Sequence, residues 1–171
     1  EFIDFFGNAA SGTNRGLEID LFWSISDSIW LTANAGWLDA EFDRYINEFG
    51  EDLGGRQQAH APDYSYSIAL HFEKGPWFGS VSSDGKDEFY FSDRHPVKSD
   101  SFSLINASLG YQAERWRLAL WGRNLTDKDY FMRAFGSFGN DPRKFYVTEP
   151  YFQFCEPRVT GLTRSFNIGA R

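Results

Sequence analysis

The chain has 171 residues, enough for one domain with a sizeable core. Its 17 Lys and Arg against 24 Asp and Glu leave a net charge of −7, which argues against a nucleic-acid phosphate backbone as the main partner. No apolar run approaches the ~20 residues of a membrane helix, and the single cysteine, Cys155, cannot form an internal disulfide.

The low mean hydropathy excludes a helical membrane protein but not a β-barrel, whose strands are only half apolar. Aromatic residues make up 19% of the chain, far above ordinary usage. Such excess serves either a ligand surface or the aromatic girdles of a membrane interface. The sequence opens EFIDFF, already patterned like the middle of a strand, with no initiator Met and no signal peptide. It reads as a piece of something longer.

Period two dominates from the start. About eight strands are expected, near 1–7, 15–25, 29–42, 63–73, 77–91, 102–111, 116–132 and 158–170. In the second, Leu17, Ile19, Leu21, Trp23 and Ile25 share one face, opposite Glu18, Asp20 and Ser24, with Phe22 as the only large apolar intruder on the polar face. In the third, Ile29, Leu31, Ala33, Ala35 and Trp37 oppose Thr32, Asn34 and Gly36. Tyr64, Tyr66, Ile68, Leu70 and Phe72 oppose Ser65, Ser67, Ala69 and His71. The fifth strand is weakly patterned. Ile105, Ala107, Leu109 and Tyr111 oppose Leu104, Asn106, Ser108 and Gly110 in the sixth. In the last, Leu162, Phe166, Ile168 and Ala170 share a face that also carries Arg164. Several of these strands suit the ~9–11 residues of a tilted membrane strand better than the ~5–6 of a globular one.

Short and long connectors alternate. Ser26–Ser28, Glu73–Pro76 and Gln112–Arg115 are tight, whereas 43–62, 92–101 and 133–157 are long. That rhythm predicts an all-β antiparallel meander with one short-turn end and one long-loop end, as in a membrane barrel. Trp23, Trp37, Tyr64, Phe72, Trp77, Tyr111 and Trp116 fall near strand ends, where girdles belong.

The stretch WRLALWGRNLTDKDYF (116–131) is similar to the penultimate strand of TonB-dependent outer-membrane receptors, in which Asn-Leu-x-Asp and an aromatic precede the last long loop. Here these are Asn124, Leu125, Asp127 and Tyr130. Three more stretches match in order: RGLEIDLFW (15–23), Ala61-Pro62 before YSYSIAL, and EPRVTGLTRSF (156–166). GNDPRKFYVTEPYFQFCEPR (139–158) resembles the family's last extracellular loop. The resemblance covers nearly the whole chain and implies the C-terminal portion of a 22-stranded transmembrane barrel with a plugged lumen, in the outer membrane of a Gram-negative bacterium. The family's plug domain and TonB-contacting segment are not in this sequence. It also ends in Arg171 without the aromatic that such barrels usually carry there.

By that resemblance the protein takes up a ferric siderophore or similar scarce nutrient with TonB-coupled energy and is not an enzyme. The implied partners are the nutrient, outer-membrane lipid and, through the missing N-terminal region, the TonB complex; no nucleic acid and no cofactor are implied. Ligand contacts are expected from the long loops, at Tyr90, Arg94, His95, Arg133, Phe135, Arg143, Tyr146 and Tyr151. Arginine offers fixed charge with several donors, and tyrosine and phenylalanine stack at little entropic cost. Residues 1–171 are expected to be one barrel portion.

Read from the residues alone, two rivals stay open: a soluble all-β carbohydrate-binding module, and a small eight-stranded outer-membrane barrel with a structural or adhesive role. Catalytic and metal sites find little support. His60, His71 and His95 lack ligand-like spacing, and Asp84, Gly85, Asp87 and Glu88 fail the calcium-loop pattern. Strict period two also puts Asn124 on the apolar face and Leu125 on the polar one. A bulge, or an exit from the apolar band, is expected between Gly122 and Asp127.

Overall fold

The computed structural model describes residues 11–47, 50–93 and 96–132, and the backbone of 159–166. Seven strands form one antiparallel sheet in chain order: β1 (Gly12–Ser26), β2 (Ile29–Phe42), β3 (Tyr64–Lys74), β4 (Trp77–Lys86), β5 (Phe102–Gln112), β6 (Trp116–Arg123) and β7 (Val159–Phe166). The strand expected at 1–7 lies outside the described residues. β1 and β2 run 15 and 14 residues, well beyond the ~5–6 typical of globular sheets.

The register keeps the alternation coherent across the sheet. Leu21 lies opposite Ala33, which lies opposite Ile68 in turn. Leu70 pairs with Val81, Val81 with Ala107, and Leu109 with Leu120. Directly paired residues share a face, so one side of the sheet is apolar over all six fully described strands. These side chains are exposed, Leu17 at 59% and Leu120 at 61%, with no second layer covering them among the described residues. Water is a poor solvent for such a surface, whereas the hydrocarbon of a bilayer is a good one.

Aromatics bound this apolar face at both ends. Trp37 pairs with Tyr64 near the long-loop end. Near the short-turn end Trp77 meets Tyr111 edge-on at 5.0 Å, and Tyr111 stacks on Trp116 at 5.3 Å. Three further aromatics sit directly opposite glycines in the register: Tyr66 with Gly85, Phe72 with Gly79, and Phe78 with Gly110. In each pair the ring lies where a glycine Cβ would stand. The ring covers backbone that the glycine leaves bare.

Two strands end earlier than their pattern predicts. β4 stops at Lys86, not 91, because the aromatic residues that follow pack elsewhere: Phe89 and Phe91 are buried at the long-loop end, Phe89 against the His60 ring. β6 stops at Arg123, not 132. Asn124 and Asp127 both adopt left-handed backbone, with φ of 48° and 55°. A strand cannot continue through that conformation, which Asn and Asp tolerate better than most residues. The facing conflict is therefore resolved by a turn rather than a bulge. Asn124 is buried, and Tyr130 packs on Phe102 with ring centroids 4.2 Å apart.

Ala40, Leu53, Ala61, Phe89, Phe91 and Tyr130 are the buried apolar residues among those described. All lie at the long-loop end. Among the described residues the sheet is a single-layer wall, and the buried core knits the loops above it.

Candidate functional site: the polar wall and the long-loop end

The opposite face carries the polar set. Glu18, Asp20, Asn34, Ser65 and Ser67 line a shallow open niche across β1 to β3. Beside it, Asp84 gathers three donors. Ser67 Oγ donates to one carboxylate oxygen at 2.5 Å; the Asn106 amide at 2.7 Å and Ser82 Oγ at 3.3 Å donate to the other. Asn106 Oδ1 then accepts from the backbone N–H of Asn124 at 3.0 Å. A polar chain thus runs from β3 to the turn after β6.

Near the short-turn end the same wall is more aromatic. Trp30 stacks on His71 at 5.3 Å, and His71 Nε2 is 3.1 Å from Thr32 Oγ1. The Arg117 guanidinium lies 3.8 Å from the centroid of Phe78. His71 is therefore occupied by local packing. Asp84 turns to the wall, while Asp87 accepts from the N–H of Glu88 in the loop; among the described residues no cluster could hold a metal ion.

At the long-loop end the segments 43–63 and 87–101 are joined. Arg56 donates to the carbonyl oxygens of Ser92 and Asp93 at 3.0 and 3.3 Å, and its guanidinium lies 4.2 Å from the Tyr90 ring centroid. His60 N donates to the carbonyl of Tyr90 at 2.9 Å, and Ala59 N to the Asp93 carboxylate at 3.0 Å. Lys98 bridges to Tyr90 through the backbone, lies 4.5 Å from its ring, and donates to Glu88 at 2.8 Å. That hydrogen bond, with the neighbouring negative charge, holds the Lys98 pKa above the ordinary lysine value, against a smaller opposing effect of burial.

A single-layer antiparallel wall with an apolar outer face, girdles at two levels and loops gathered at one end is a sector of a transmembrane barrel. Residues 3–125 match the family model described as TonB dependent receptor-like, beta-barrel. The chain belongs to this family. It is a family of transport receptors rather than enzymes, found in the outer membrane of Gram-negative bacteria.

Three solved structures share the receptor barrel's architecture with this chain. The siderophore receptor PiuA from Acinetobacter baumannii is 18% identical, with a TM-score of 0.69 over 90% of this chain and 21% of its own. The ferric-catecholate import receptor Fiu from Escherichia coli K12 is 16% identical, with a TM-score of 0.66 over 90% of this chain and 20% of its own. The ferric yersiniabactin uptake receptor FyuA from Yersinia pestis is 15% identical, with a TM-score of 0.66 over 94% of this chain and 24% of its own. The chain thus spans about a fifth to a quarter of each of these receptors, and at these identities the likeness is one of fold.

Of the eight loop residues expected to contact ligand, Tyr90 is described. It stands half-buried between the two joined loops, with the cations of Arg56 and Lys98 over its ring. Arg94, His95, Arg133, Phe135, Arg143, Tyr146 and Tyr151 lie outside the described residues. Arg56 and Lys98 were not expected at the site. Arg56 is 34 residues from Tyr90 in the chain, and no local pattern announces the pairing.

Proposed function

We propose that the chain is the C-terminal part of the barrel of a receptor that takes up a ferric siderophore or a comparable scarce nutrient with TonB-coupled energy. The observation that supports it most is the seven-strand wall: over its six fully described strands it is apolar on one face and polar on the other, with loops packed at one end. A soluble carbohydrate-binding module has no use for an aliphatic face left bare across six strands. A complete receptor would close this wall with further strands into a 22-stranded barrel around a plug. Its TonB contact would lie in the segment preceding that plug.

In this reading the loop end meets the ligand. Tyr90, braced by Arg56 and Lys98, offers an aromatic edge beside fixed positive charge, and Arg94, His95, Arg133, Phe135, Arg143, Tyr146 and Tyr151 complete the ligand-facing set. This reading assigns the chain no catalytic role. The decisive experiment deletes the full-length gene in its host and follows radio-iron uptake from a panel of ferric siderophores. Loss of uptake of one chelate class, restored by the intact gene, is expected. Unchanged uptake of every chelate, with growth on an oligosaccharide impaired instead, would sink the siderophore reading.

A further inference from the structure

The outward face of the wall carries a polar hollow at its long-loop girdle. Ser103 pairs with Gly85, Gly85 with Tyr66, and Tyr66 with Ala35, so this row shares the face of Ile19 and the other lipid-facing residues. Glycine and serine leave the row low between Tyr66 and the turn after β6. The hollow has a volume of about 470 Å³, and its lining includes Tyr64, Tyr66, Ser101, Ser103, Thr126 and Lys128. Ile105 lines it on the side toward the apolar band. On the side toward the loops Tyr64 belongs to the girdle itself, paired with Trp37.

The Tyr66 hydroxyl shares a hydrogen bond of 3.2 Å with Ser83 Oγ on the same face and is thereby engaged. The hydroxyls of Tyr64, Ser101, Ser103 and Thr126 and the ammonium of Lys128 have no hydrogen bond or ion pair within the described residues. Each hydroxyl can both donate and accept. Tyr64 also offers a flat apolar ring with a polar tip. The charge around the hollow is acidic. Asp63, Asp87 and Asp100 adjoin lining residues or their strand partners in the chain, and Asp127 and Asp129 flank Lys128. Asp63 accepts from Gln57 Nε2 at 2.6 Å, and Asp87 from the N–H of Glu88 at 2.9 Å. Five carboxylates beside Lys86 and Lys128 disfavour a bare anion. A neutral ring bearing several hydroxyls meets no such repulsion, and it uses donors and acceptors together.

We propose that this hollow holds the sugar headgroup of a membrane glycolipid, whose acyl chains run down the aliphatic face past Ile105 and Ile68. Position decides the occupant: the hollow is continuous with the face that lipid covers and lies at the girdle, where headgroups begin. The serine and threonine hydroxyls bond the hydroxyls of the sugar, Tyr64 covers its flat side, and Lys128 donates to a ring substituent. The site rests on the facing of the wall and is independent of the nutrient the receptor carries.

The test titrates the full-length receptor, folded in detergent, with a monoglucosyl diacylglycerol and separately with phosphatidylglycerol of the same acyl chains. Native mass spectrometry counts the bound lipid. The wild type should hold the glucosyl lipid about tenfold more tightly than phosphatidylglycerol. Ser103→Leu fills the hollow with a group that a lipid-facing position accepts. It should weaken the glucosyl lipid about three- to tenfold, the range for a lost hydrogen bond, and leave phosphatidylglycerol within about twofold. Thr126→Val, which removes a hydroxyl at nearly constant shape, should shift binding in the same direction. Tyr64→Phe keeps the ring and should be milder than Tyr64→Leu. Equal wild-type affinity for the two lipids overturns the site, as does wild-type binding of the glucosyl lipid by both Ser103→Leu and Thr126→Val. A preference for phosphatidylglycerol that Lys128→Ala abolishes makes the hollow an anion site and also overturns it. Receptor dimers that Ser103→Leu dissolves would put a second copy on this face instead, with the same consequence. Radio-iron import by Ser103→Leu should match the wild type, and a wild-type receptor that imports no chelate sinks the uptake reading alone.

Discussion

Asn124 and Lys128 are tied by two side-chain-to-backbone hydrogen bonds. Asn124 Nδ2 donates to the Lys128 carbonyl at 3.0 Å, and Lys128 N donates to Asn124 Oδ1 at 2.9 Å. The amide thus does for a four-residue turn what a partner strand does for a ladder. At φ 48° the same residue also supplies the left-handed backbone the turn needs. Asn124→Ala should lower unfolding stability by about 2–4 kcal/mol, from lost buried hydrogen bonds plus left-handed strain. Asn124→Gly, free of that strain, should retain about 1 kcal/mol more. Thermal melting of the folded full-length receptor in detergent separates them. Equal melting points would show that backbone conformation contributes nothing here.

Phe78 and Gly110 give a test by non-additivity. A Cβ added at Gly110 would overlap the Phe78 ring, which Arg117 covers from elsewhere. Gly110→Ala should therefore destabilise by about 1–3 kcal/mol, the usual cost of overpacking. In a Phe78→Ala background the clash disappears, and the glycine substitution should be close to neutral. Additive effects in the double-mutant cycle would mean that ring and glycine do not meet.

The two faces of the wall were legible in the sequence because alternation is local: Leu21 and Asp20 announce opposite sides without knowledge of their partners. The register extends that assignment over the described strands, except beside the β1–β2 turn, where it shifts between Ser24 and Ser26 and sets Ser26 opposite Ile29. Strand ends were less legible. Phe89, Tyr90 and Phe91 read as strand residues, and only the burial of Phe89 and Phe91 at the long-loop end, Phe89 against the His60 ring, explains why they leave the sheet. The left-handed turn at Asn124 was signalled by residue type, but a lone Asn-Leu-Thr-Asp is compatible with several backbones. The Arg56 clamp on Tyr90 joins segments more than thirty residues apart and leaves no trace in either.

Facing can be tested by charge. Leu21→Arg and Leu109→Arg place a cation in the apolar band and should each cost about 2–4 kcal/mol near the bilayer midplane. Asn34→Arg, on the opposite side of the wall, should cost far less. Ser67 is a poorer control than its small polar side chain suggests, because its hydroxyl serves Asp84. Ser67→Ala should cost about 1 kcal/mol, the net worth of a typical hydrogen bond. Refolding yields and denaturant midpoints in lipid vesicles report both sets, and similar losses for Leu21→Arg and Asn34→Arg would reverse or void the assignment.

The Glu88–Lys98 pair should brace its loop only weakly. Both side chains are partly exposed, 54% for Glu88 and 31% for Lys98. A double-mutant cycle of Glu88→Gln and Lys98→Met at neutral pH should give a coupling of about 0.2–1 kcal/mol, shrinking with salt. Because the folded-state pKa of Lys98 is raised, its contribution is fully present below the unfolded value of about 10.4 and is lost as pH rises through the folded value. Between neutral pH and pH 9 the lysine side of the pair should therefore contribute no slope. A lysine-dependent loss of coupling within that window would contradict the raised pKa.

Arg56 should couple the two long loops as one body. Its side chain reaches the Ser92 and Asp93 carbonyls, and the adjacent amides of Ala59 and His60 donate to Asp93 and Tyr90. Removing the guanidinium takes away the only long side chain that spans this contact among the described bonds between the segments. Arg56→Ala should therefore speed amide exchange at Ala59 and His60 together, while the Ser65–Leu70 amides in β3 keep their protection. Arg56→Lys preserves charge but not the forked reach to two carbonyls, so it should protect only partly. Exchange measured on the full-length receptor by mass spectrometry reads each segment separately. If only 56–60 loosens and 89–93 stays protected, the loops are independent, and Tyr90 owes its position to its own segment.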